Sequence, residues 1–377
     1  KGEVKYSMKI GIITWFTGPN YGTNLQAIAL QYYLRSHGYE VNLINYEVPS
    51  VNVTKDKKSF IRKVFYQPKK YAIKFAMNRY KTKIAERDRK LRNSIITKCI
   101  LTSEIETIDE LVKICNEFDL LICGSDQIWN PNWYDKFYFA DYTGITTDRI
   151  SYAPSMGVNT IPDSVVGEIK HGLRQFKAIS VREEKAAELL APYLNKKPQV
   201  VVDPTLLLTS EEWMDIFPQV KYEGDDYIFA FFLNDEKAHL EATKKFAERL
   251  NYKLILVPYK GATYLQNADI RADAGLEDML DLIRNAKYVI TDSFHITVFS
   301  IIHRKQFYTF QRFKEDEFTS QNARVTNLLN MVDLPERLIP YLSTRIDMLD
   351  DINYDGHIEK LNIEIEKSKD FLKKSIE

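Results

Sequence analysis

Residues 287–310 carry the sequence feature that most restricts the fold of this chain. An apolar run that starts at Tyr288 ends in the polar triplet 291–293, and a helical pattern of apolar residues begins directly afterwards. This pattern is typical of a buried parallel strand whose carboxyl end leads into a helix, the edge at which open α/β sheets bind ligands. His295 stands there, beside unpaired N–H groups and the positive end of a helix dipole. It is either a group that acts on an anionic substrate or a hydrogen-bonded structural histidine.

The same alternation of short apolar runs and helical patterns extends over most of the chain. It begins with KIGIITW, a Gly/Pro/Asn loop, a helical pattern over 25–36 and a second apolar run over 41–46. Such βαβ units favour a parallel sheet with right-handed crossovers. We therefore predict an α/β protein of two Rossmann-like domains that face each other across a cleft. Further strands are predicted over 120–123, 150–153, 178–181, 200–202, 227–233, 253–257, 288–291 and 306–310, and further helices over 163–176, 183–194, 211–216, 236–250, 276–285, 296–302, 324–331 and 357–375.

A polar stretch with Gly, Pro and Asp around 218–226 marks the predicted domain boundary. We place an N-terminal Rossmann-like domain at residues 8–217 and a C-terminal one at 224–345. The remaining segment, 346–377, has a charged amphipathic pattern, and we expect it to pack back on the N-terminal domain. A chain of 377 residues is long enough for two domains that each have a sizeable core.

The composition, 45% apolar and 28% charged, is that of a soluble globular protein. No apolar stretch reaches the roughly 18 residues that a membrane-spanning helix needs. The three cysteines include no CxxC pair, which favours a reducing compartment and argues against a disulfide framework or a cysteine zinc site. We therefore expect a cytoplasmic protein without a bound metal.

A formal net charge of zero conceals one strongly basic segment. Residues 55–98 hold sixteen Lys and Arg against three Asp and Glu, interleaved with aromatic and aliphatic residues. We predict a helical insertion in the N-terminal domain, which either lies on an anionic bilayer at the inner face of the membrane or binds a pyrophosphate-bearing partner. The alternative is solvated helix faces over a local core. Because no nucleic-acid-binding motif is recognisable, we expect no nucleic-acid partner.

Polar side chains also follow several other predicted strands. The loop GPNYG at 18–22 matches neither a dinucleotide fingerprint nor a phosphate loop, so NAD or ATP binding has little support. Arg182 follows strand 178–181 and offers a planar fork to a carboxylate or phosphate, unless it pairs with a neighbouring glutamate. The loop could be only a tight turn, and the indoles of Trp129 and Trp133 only core anchors. The candidates for binding a sugar are Asn20, Tyr21, Gly22, Asn24, Gln26, Asp126, Gln127, Trp129 and Ser155.

Six segments resemble, in order, the sequence blocks of the polysaccharide pyruvyl transferase family. They are NYGTNLQAIALQYYL, CGSDQIWNP, ISYAPSMG, SVREEKAAELL, VVDPTLLL and AKYVITDSFHITVFSIIHRKQF, and the resemblance spans roughly residues 8–340. It implies a GT-B-like fold. It also implies transfer of the pyruvate moiety of phosphoenolpyruvate onto two hydroxyls of a sugar in a surface polysaccharide precursor. The products are a cyclic ketal and phosphate, and phosphoenolpyruvate is a co-substrate, so no cofactor is expected.

The resemblance also implies roles for individual residues. His295 matches the essential histidine of the family and is the candidate general acid, and Arg182 matches the arginine that binds phosphoenolpyruvate. The helix start is expected to receive the phosphate, and Asp126 to orient or deprotonate the attacking hydroxyl. Some members have Arg-Leu-His where this chain has Ser-Phe-His, so another group must replace one cation. The donor-binding residues expected on this basis are Arg182, Ser293, Phe294, His295 and Thr297.

Two other functions stay open on the sequence alone. A GT-B-type glycosyltransferase would use a nucleotide-sugar donor, although no clear carboxylate motif for a ribose diol is present. A non-catalytic saccharide-binding protein of the assembly machinery would use the basic segment and the tryptophan loop. For the pyruvyl transferase, we expect a sugar acceptor that is carried on a lipid-linked oligosaccharide, with residues 55–98 in peripheral contact with the membrane.

Overall fold

The computed structural model describes residues 8–46, 68–314 and 321–377. Its strands form two six-stranded sheets, and all the paired strands within each are parallel. The first sheet has the order β2-β1-β3-β4-β5-β6 and the second the order β12-β11-β10-β7-β8-β9. The prediction of two Rossmann-like domains is thereby confirmed. The strands are β1 Lys9–Ile13, β2 Glu40–Leu43, β3 Leu120–Cys123, β4 Arg149–Ser151, β5 Phe176–Val181, β6 Gln199–Val200, β7 Tyr227–Phe231, β8 Lys253–Val257, β9 Asp269–Ile270, β10 Tyr288–Thr291, β11 Gln306–Phe310 and β12 Leu338–Ile339.

Continuous apolar runs build the central strands because both faces of each sheet are covered by helices. Val289 of β10 pairs with Phe229 on one side and with Phe307 on the other, and all three side chains are fully buried. The helices are α1 Tyr21–Ser36, α2 Pro68–Arg79, α3 Lys81–Lys98, α4 Ile108–Cys115, α5 Asp163–Leu173, α6 Glu184–Leu190, α7 Ser210–Ile216, α8 Lys237–Leu250, α9 Leu276–Asn285, α10 Phe294–Ile302, α11 Asn322–Met331 and α12 Tyr354–Ile376.

Side-chain caps start two helices earlier than the sequence prediction places them. Helix α1 begins four residues earlier than expected, since the Asn20 side chain accepts a hydrogen bond from the N–H of Gly22. Thr209 caps α7 in a capping box with Glu212, so this helix begins at residue 210 and not at the predicted 211. Helix α10 also begins earlier than predicted, at Phe294, although its N-cap residue Ser293 makes no side-chain capping hydrogen bond.

Each sheet has a strand at which the direction of the crossovers reverses. In the first sheet β1 has β2 on one side and β3 on the other, and in the second β7 lies between β8 and β10. Polar loops diverge at such switch points and leave a crevice at the carboxyl ends of the strands. The loops that follow these strands therefore form the two walls of the space between the domains.

Two helices cross between the domains. Helix α12 begins against the second, where the Tyr354 hydroxyl donates to the carbonyl of Lys305 at 2.6 Å. It ends on the first, where Ser368 Oγ accepts from the N–H of Val202 at 2.9 Å. Helix α3 crosses elsewhere, and its Lys90 pairs with Asp278 of α9 at 2.8 Å.

The basic segment is only partly within the described residues. Residues 55–67 lie outside them, and residues 68–98 form the two helices α2 and α3. Among the described parts of the chain, no helix is both long and apolar enough to span a membrane. Lys83 and Lys90 of α3 pair with Asp273 and Asp278 of the second domain. Part of the positive charge of this segment is therefore neutralised by ion pairs within the protein.

Candidate functional site

A cavity of about 380 Å³ lies between the two sheets at their switch points. We call it the interdomain cavity. The side chains that line it from the first domain include two indoles, two amides and a carboxylate: Trp15, Trp133, Asn20, Gln127 and Asp126. Those from the second domain bring cations, aromatic rings and the strand-end histidine: Asn234, Tyr259, Lys260, Asp292, Ser293, Phe294, His295, Arg312 and Arg324.

His295 occupies the first turn of α10 and projects towards the first domain. Its ring lies against Gly22 of α1, so closely that a Cβ on residue 22 would overlap the imidazole. The ring nitrogen Nε2 lies 3.5 Å from Oδ2 of Asp203 and has no closer hydrogen-bond partner among the described residues. The two domains thus meet on this histidine, which touches a backbone on one side and faces a carboxylate on the other.

Asp203 is a site residue that the sequence analysis treated only as the end of a strand. Its Oδ1 accepts from the N–H and hydroxyl of Thr205, and its Oδ2 accepts from Nη1 of Arg182 at 2.5 Å. Burial opposes ionisation, but His295 and Arg182 outweigh it and hold the pKa of the Asp203 carboxyl well below its usual range. An acidic residue directly after the apolar run 200–202 was the signal that could have revealed it.

Arg182 lies beneath the floor of the interdomain cavity and does not line it. Its side chain is only 2% exposed and is held by Asp203, with Nη2 3.6 Å from Oδ1 of Asp126. The ring of Phe294 covers it, with the guanidinium carbon 5.0 Å from the ring centroid. The structure therefore brings Arg182 and His295 together through one shared carboxylate, that of Asp203.

Asp126 lines the cavity and is held in a fixed orientation. Its Oδ2 accepts from the Thr23 hydroxyl at 2.6 Å, and its backbone carbonyl accepts from the N–H of Ser155 at 2.7 Å. The residue has a left-handed φ of 62°, which few non-glycine residues adopt. One carboxylate oxygen is thus tied to α1, and the other lies near Arg182.

The other residues predicted to bind the sugar divide into two groups. Asn20 and Gln127 line the cavity, and Gly22 contacts His295. Four others support the walls through hydrogen bonds within the protein. The Tyr21 hydroxyl donates to the carbonyl of Ala274, and Asn24 donates to the carbonyl of Gly18. Gln26 donates to Thr14, Trp15 and Thr23, and Ser155 donates to Glu183.

The exposed indole is Trp133 and not Trp129. Trp129 is 2% exposed and stacks on Phe139 with ring centroids 4.9 Å apart, so it is a core anchor. Trp133 is 46% exposed and lies 6.3 Å from the ring of Trp15, the residue that ends the first apolar run of the sequence. Together Trp15 and Trp133 form an aromatic patch on the wall of the first domain.

Around the start of α10, Ser293 and Phe294 line the cavity, whereas Thr297 is fully buried. The Thr297 hydroxyl donates to the carbonyl of Ser293 at 2.9 Å and contacts the hydroxyl of Thr309. It therefore fixes the first turn of the helix from behind. Of the predicted donor residues, three are at the cavity surface and two lie beneath it.

Asp292 ties two loops of the second domain together. Its carboxylate accepts from the backbone N–H groups of Leu233 and Asn234 at 2.6 and 3.0 Å. Burial raises the pKa of this carboxyl to about 6, although Arg312 and the N–H donors act in the opposite direction. No group of three or more His, Cys, Asp or Glu side chains that could hold a metal ion occurs in the described part of the chain.

Two arginines of the cavity wall did not emerge from the sequence. Arg312 follows β11 at its carboxyl end. A search for polar side chains directly after predicted strands, which identified Arg182, could therefore also have found Arg312. Arg324 lies within α11, and no local pattern indicates that it turns towards the cavity. Burial, with the neighbouring guanidiniums of Arg182 and Arg312, lowers the pKa of Arg324 to about 9. Its positive charge is therefore poorly compensated by the protein around it.

Comparison with known proteins identifies the family. The family model described as "Polysaccharide pyruvyl transferase" matches residues 20–315, which confirms the resemblance noted in the sequence. A comparison with curated proteins finds no match.

Solved structures of similar fold belong to other enzymes. The UDP-N-acetylglucosamine 2-epimerase from Rickettsia bellii is 12% identical, with a TM-score of 0.50 over 98% of this chain and 96% of that chain. The UDP-GlcNAc 2-epimerase from Neisseria meningitidis bound to UDP-GlcNAc has a TM-score of 0.47 at 10% identity, over 97% and 100%. The glycosyltransferase SnogD from Streptomyces nogalater has a TM-score of 0.43 at 12% identity, over 97% and 95%. At such identities the similarity concerns the fold alone.

Proposed function

Because the chain belongs to the polysaccharide pyruvyl transferase family, we propose that it moves the pyruvate moiety of phosphoenolpyruvate onto two hydroxyls of one sugar. The products are a cyclic ketal and phosphate. The observation that carries this proposal is the position of His295, at a helix start in a cavity with cationic walls, with Asp203 behind it. This combination suits a small, doubly acidic enol ester that must be protonated at carbon.

The donor carries a carboxylate and a phosphate, and the cavity offers several positive groups to them. The first turn of α10 contributes N–H groups and the helix dipole, worth about 0.3–1 kcal/mol to an anion at the surface and up to about 2 kcal/mol when partly buried. We assign the carboxylate to this helix start, beside Ser293. Lys260 adds a further cation on the same wall.

The reaction begins with transfer of the His295 proton to C3 of phosphoenolpyruvate, which leaves an oxocarbenium at C2. One sugar hydroxyl adds to C2 and loses its proton. The bond from C2 to the phosphate oxygen then breaks, and phosphate leaves with one proton. The second hydroxyl adds to C2, and its proton restores His295. General acid–base help of this kind contributes typically about 10²–10⁴-fold.

Asp203 and Arg182 are positioning residues in this proposal. Asp203 faces Nε2 of His295 and orients the imidazole, and Arg182 keeps Asp203 ionised and in place. From beneath the floor, Arg182 also adds positive potential to the donor site. We propose this supporting part instead of the direct contact with the donor carboxylate that the family resemblance implies.

The acceptor is proposed to enter along the wall of the first domain. A sugar ring can stack on the aromatic patch of Trp15 and Trp133, with one apolar face against an indole. The fixed carboxylate of Asp126 is then available to accept a hydrogen bond from the attacking hydroxyl, and Asn20 to bind a neighbouring one. This arrangement places donor and acceptor on opposite walls of one cavity.

We further propose that the acceptor is lipid-linked and that α2, with the residues before it, contacts the membrane surface. Phe75 on this helix is 68% exposed, and the adjoining segment is strongly basic. Liposome co-sedimentation checks this with vesicles of zwitterionic or anionic lipid. We expect binding to anionic vesicles that falls on replacing Phe75 with Ser. Sedimentation that is independent of both lipid charge and this substitution contradicts the membrane contact.

Phosphate release from phosphoenolpyruvate tests the proposed reaction. We would use sugars that offer a 1,2- or a 1,3-diol as acceptors and compare the wild type with His295→Gln. The matched control is His171→Gln, since that histidine is exposed on α5. We expect acceptor-dependent release from the wild type and the control, and a loss of at least about 100-fold in His295→Gln. Equal turnover in His295→Gln contradicts the assignment of the acid.

A thermal-shift comparison separates the proposal from its main competitor. Phosphoenolpyruvate is expected to stabilise the protein, whereas UDP- and GDP-sugars are not. Stabilisation by a nucleotide sugar alone, without phosphate release from phosphoenolpyruvate, would instead favour a glycosyltransferase. Glycan binding without any turnover would favour a saccharide-binding protein.

A further inference from the structure

We infer that Arg312 and Arg324 form the phosphate-binding site of the interdomain cavity and replace the cation that this chain lacks at Ser293. The inference rests on the proposed function, since it names the part of the donor that these side chains bind. We call the two residues the arginine pair. Neither was identified from the sequence, and both line the cavity.

The first support is the way the two side chains are held. A single neutral oxygen, Oε1 of Gln321, accepts from Nη2 of Arg312 and from Nη2 of Arg324, at 2.5 Å each. One acceptor thus brings two guanidiniums together, although like charges repel. The arrangement leaves Nε of Arg324 and the other side-chain N–H donors of Arg312 without a protein acceptor among the described residues, so they can bind a group with several acceptor oxygens.

The second support is the absence of a carboxylate partner. Among the described residues, no Asp or Glu lies within ion-pairing distance of either guanidinium. Arg324 is only 9% exposed, and its Nε has no hydrogen-bond partner there. The amide of Gln127 and the ring of Phe294, 5.8 Å from the guanidinium carbon, also contact it. The carboxylates of Glu183 and Asp126 act on Arg324 only from beyond ion-pairing distance. Buried charges are normally paired, so an unpaired arginine at a cavity wall indicates an anionic ligand.

The third support is the chemistry of the ligand. Phosphate has three terminal oxygens and up to two negative charges, and two guanidinium forks match it bidentately. Binding a dianion between the arginines would relieve both their mutual repulsion and the cost of burial. The carboxylate of the donor has one charge and is served by the helix start of α10. The arginine pair is therefore assigned to the phosphate end.

The departure of this chain from its family is explained by the same geometry. Ser293 is followed by Phe294, whose ring lies near the guanidiniums of both Arg182 and Arg324. Ser293 and Arg324 line the same cavity, and Arg324 reaches it from α11. The cation is thus supplied by a different element at the same wall.

Calorimetric titration with inorganic phosphate, phosphoenolpyruvate and pyruvate tests the assignment. We would compare the wild type, Arg312→Gln, Arg324→Gln and the control Arg345→Gln, whose arginine is exposed outside the cavity. We expect each cavity variant to lose about 10- to 100-fold in affinity for phosphate and phosphoenolpyruvate. Pyruvate, which has only the carboxylate, should bind all four proteins equally. Unfolding curves establish whether each variant is folded. If one of the two arginine variants does not fold, the other still tests the assignment.

The possible results separate the two proposals. If the wild type releases phosphate from phosphoenolpyruvate and both folded variants bind inorganic phosphate like the wild type, the arginine pair is not the phosphate site and the proposed function stands. If phosphate affinity depends on the arginines but phosphoenolpyruvate neither binds nor turns over, the anion site stands and the proposed function fails. A selective loss for the two phosphate-bearing ligands supports both.

Discussion

Gly22→Ala is the substitution that tests most sharply how the two domains meet on His295. A Cβ built at this position would lie 2.7 Å from Cε1 of the imidazole, and closer still to Cγ and Nδ1. Ordinary van der Waals contact begins at 3.4 Å. The imidazole must therefore retreat, or α1 and α10 must separate, before an alanine can be accommodated.

The expected loss of stability is small, and the expected loss of activity is large. Overpacking costs about 1–3 kcal/mol, and the higher helix propensity of alanine returns up to about 1 kcal/mol of it. We therefore expect the free energy of unfolding to fall by less than about 3 kcal/mol. A displaced imidazole no longer protonates the donor correctly, so activity should fall by about 10²–10⁴-fold.

Gly167→Ala is the matched control, because it lies within α5 and its added Cβ would meet no heavy atom within 4 Å. This variant should keep full activity and gain about 0.5–1 kcal/mol of stability. Phosphate release and urea unfolding, measured on both variants, check the two expectations. Wild-type turnover in a folded Gly22→Ala protein would refute the contact between the two helices as the element that positions His295.

Three further outcomes follow from the site. Asp203→Asn should lower the free energy of unfolding by about 3–5 kcal/mol, because it removes the closest charged partner of the buried Arg182 and leaves only the more distant Asp126. Since the folded-state pKa of Asp203 is depressed, this stabilisation is present above the unfolded pKa of about 3.9 and is lost as the pH falls towards the folded value. Urea unfolding at several pH values checks this, and a free energy of unfolding that depends on pH in the variant as in the wild type would contradict it. Trp133→Ala should raise the acceptor KM by about 10-fold while the donor KM stays constant, and an effect on the donor KM instead would exclude an acceptor role. Adding Ser293→Arg to Arg324→Gln should restore at least about 10-fold of the lost phosphate affinity in calorimetry, and a folded double variant without recovery would show that residue 293 cannot supply the cation.

The fold was predictable because its strands are short, apolar and separated by clear helical patterns. Strands β3 and β10 were predicted with their observed bounds, since the apolar run stops before Gly124 in the first and at Thr291 in the second. Helix starts were less accurate, because a cap such as Asn20 begins a helix before its apolar periodicity is visible. Local propensity therefore located the elements, and side-chain hydrogen bonds determined where they begin.

The candidate site was predictable only where a side chain follows a strand. His295 and Asp126 were found by this rule, and both line the interdomain cavity. The rule does not distinguish a side chain at the surface from one beneath it, and Arg182, which it also identified, lies beneath the cavity floor. Arg324 escaped because its approach depends on how α11 packs against the second sheet, a long-range arrangement that no local pattern encodes.

A crystal structure of the protein with bound phosphoenolpyruvate is the most direct test of the central claim. We expect the phosphate within hydrogen-bonding distance of Arg312 and Arg324, the carboxylate at the start of α10, and the methylene carbon against the His295 ring. A donor bound outside the interdomain cavity, or inside it with its methylene carbon turned away from His295, would contradict the proposed site.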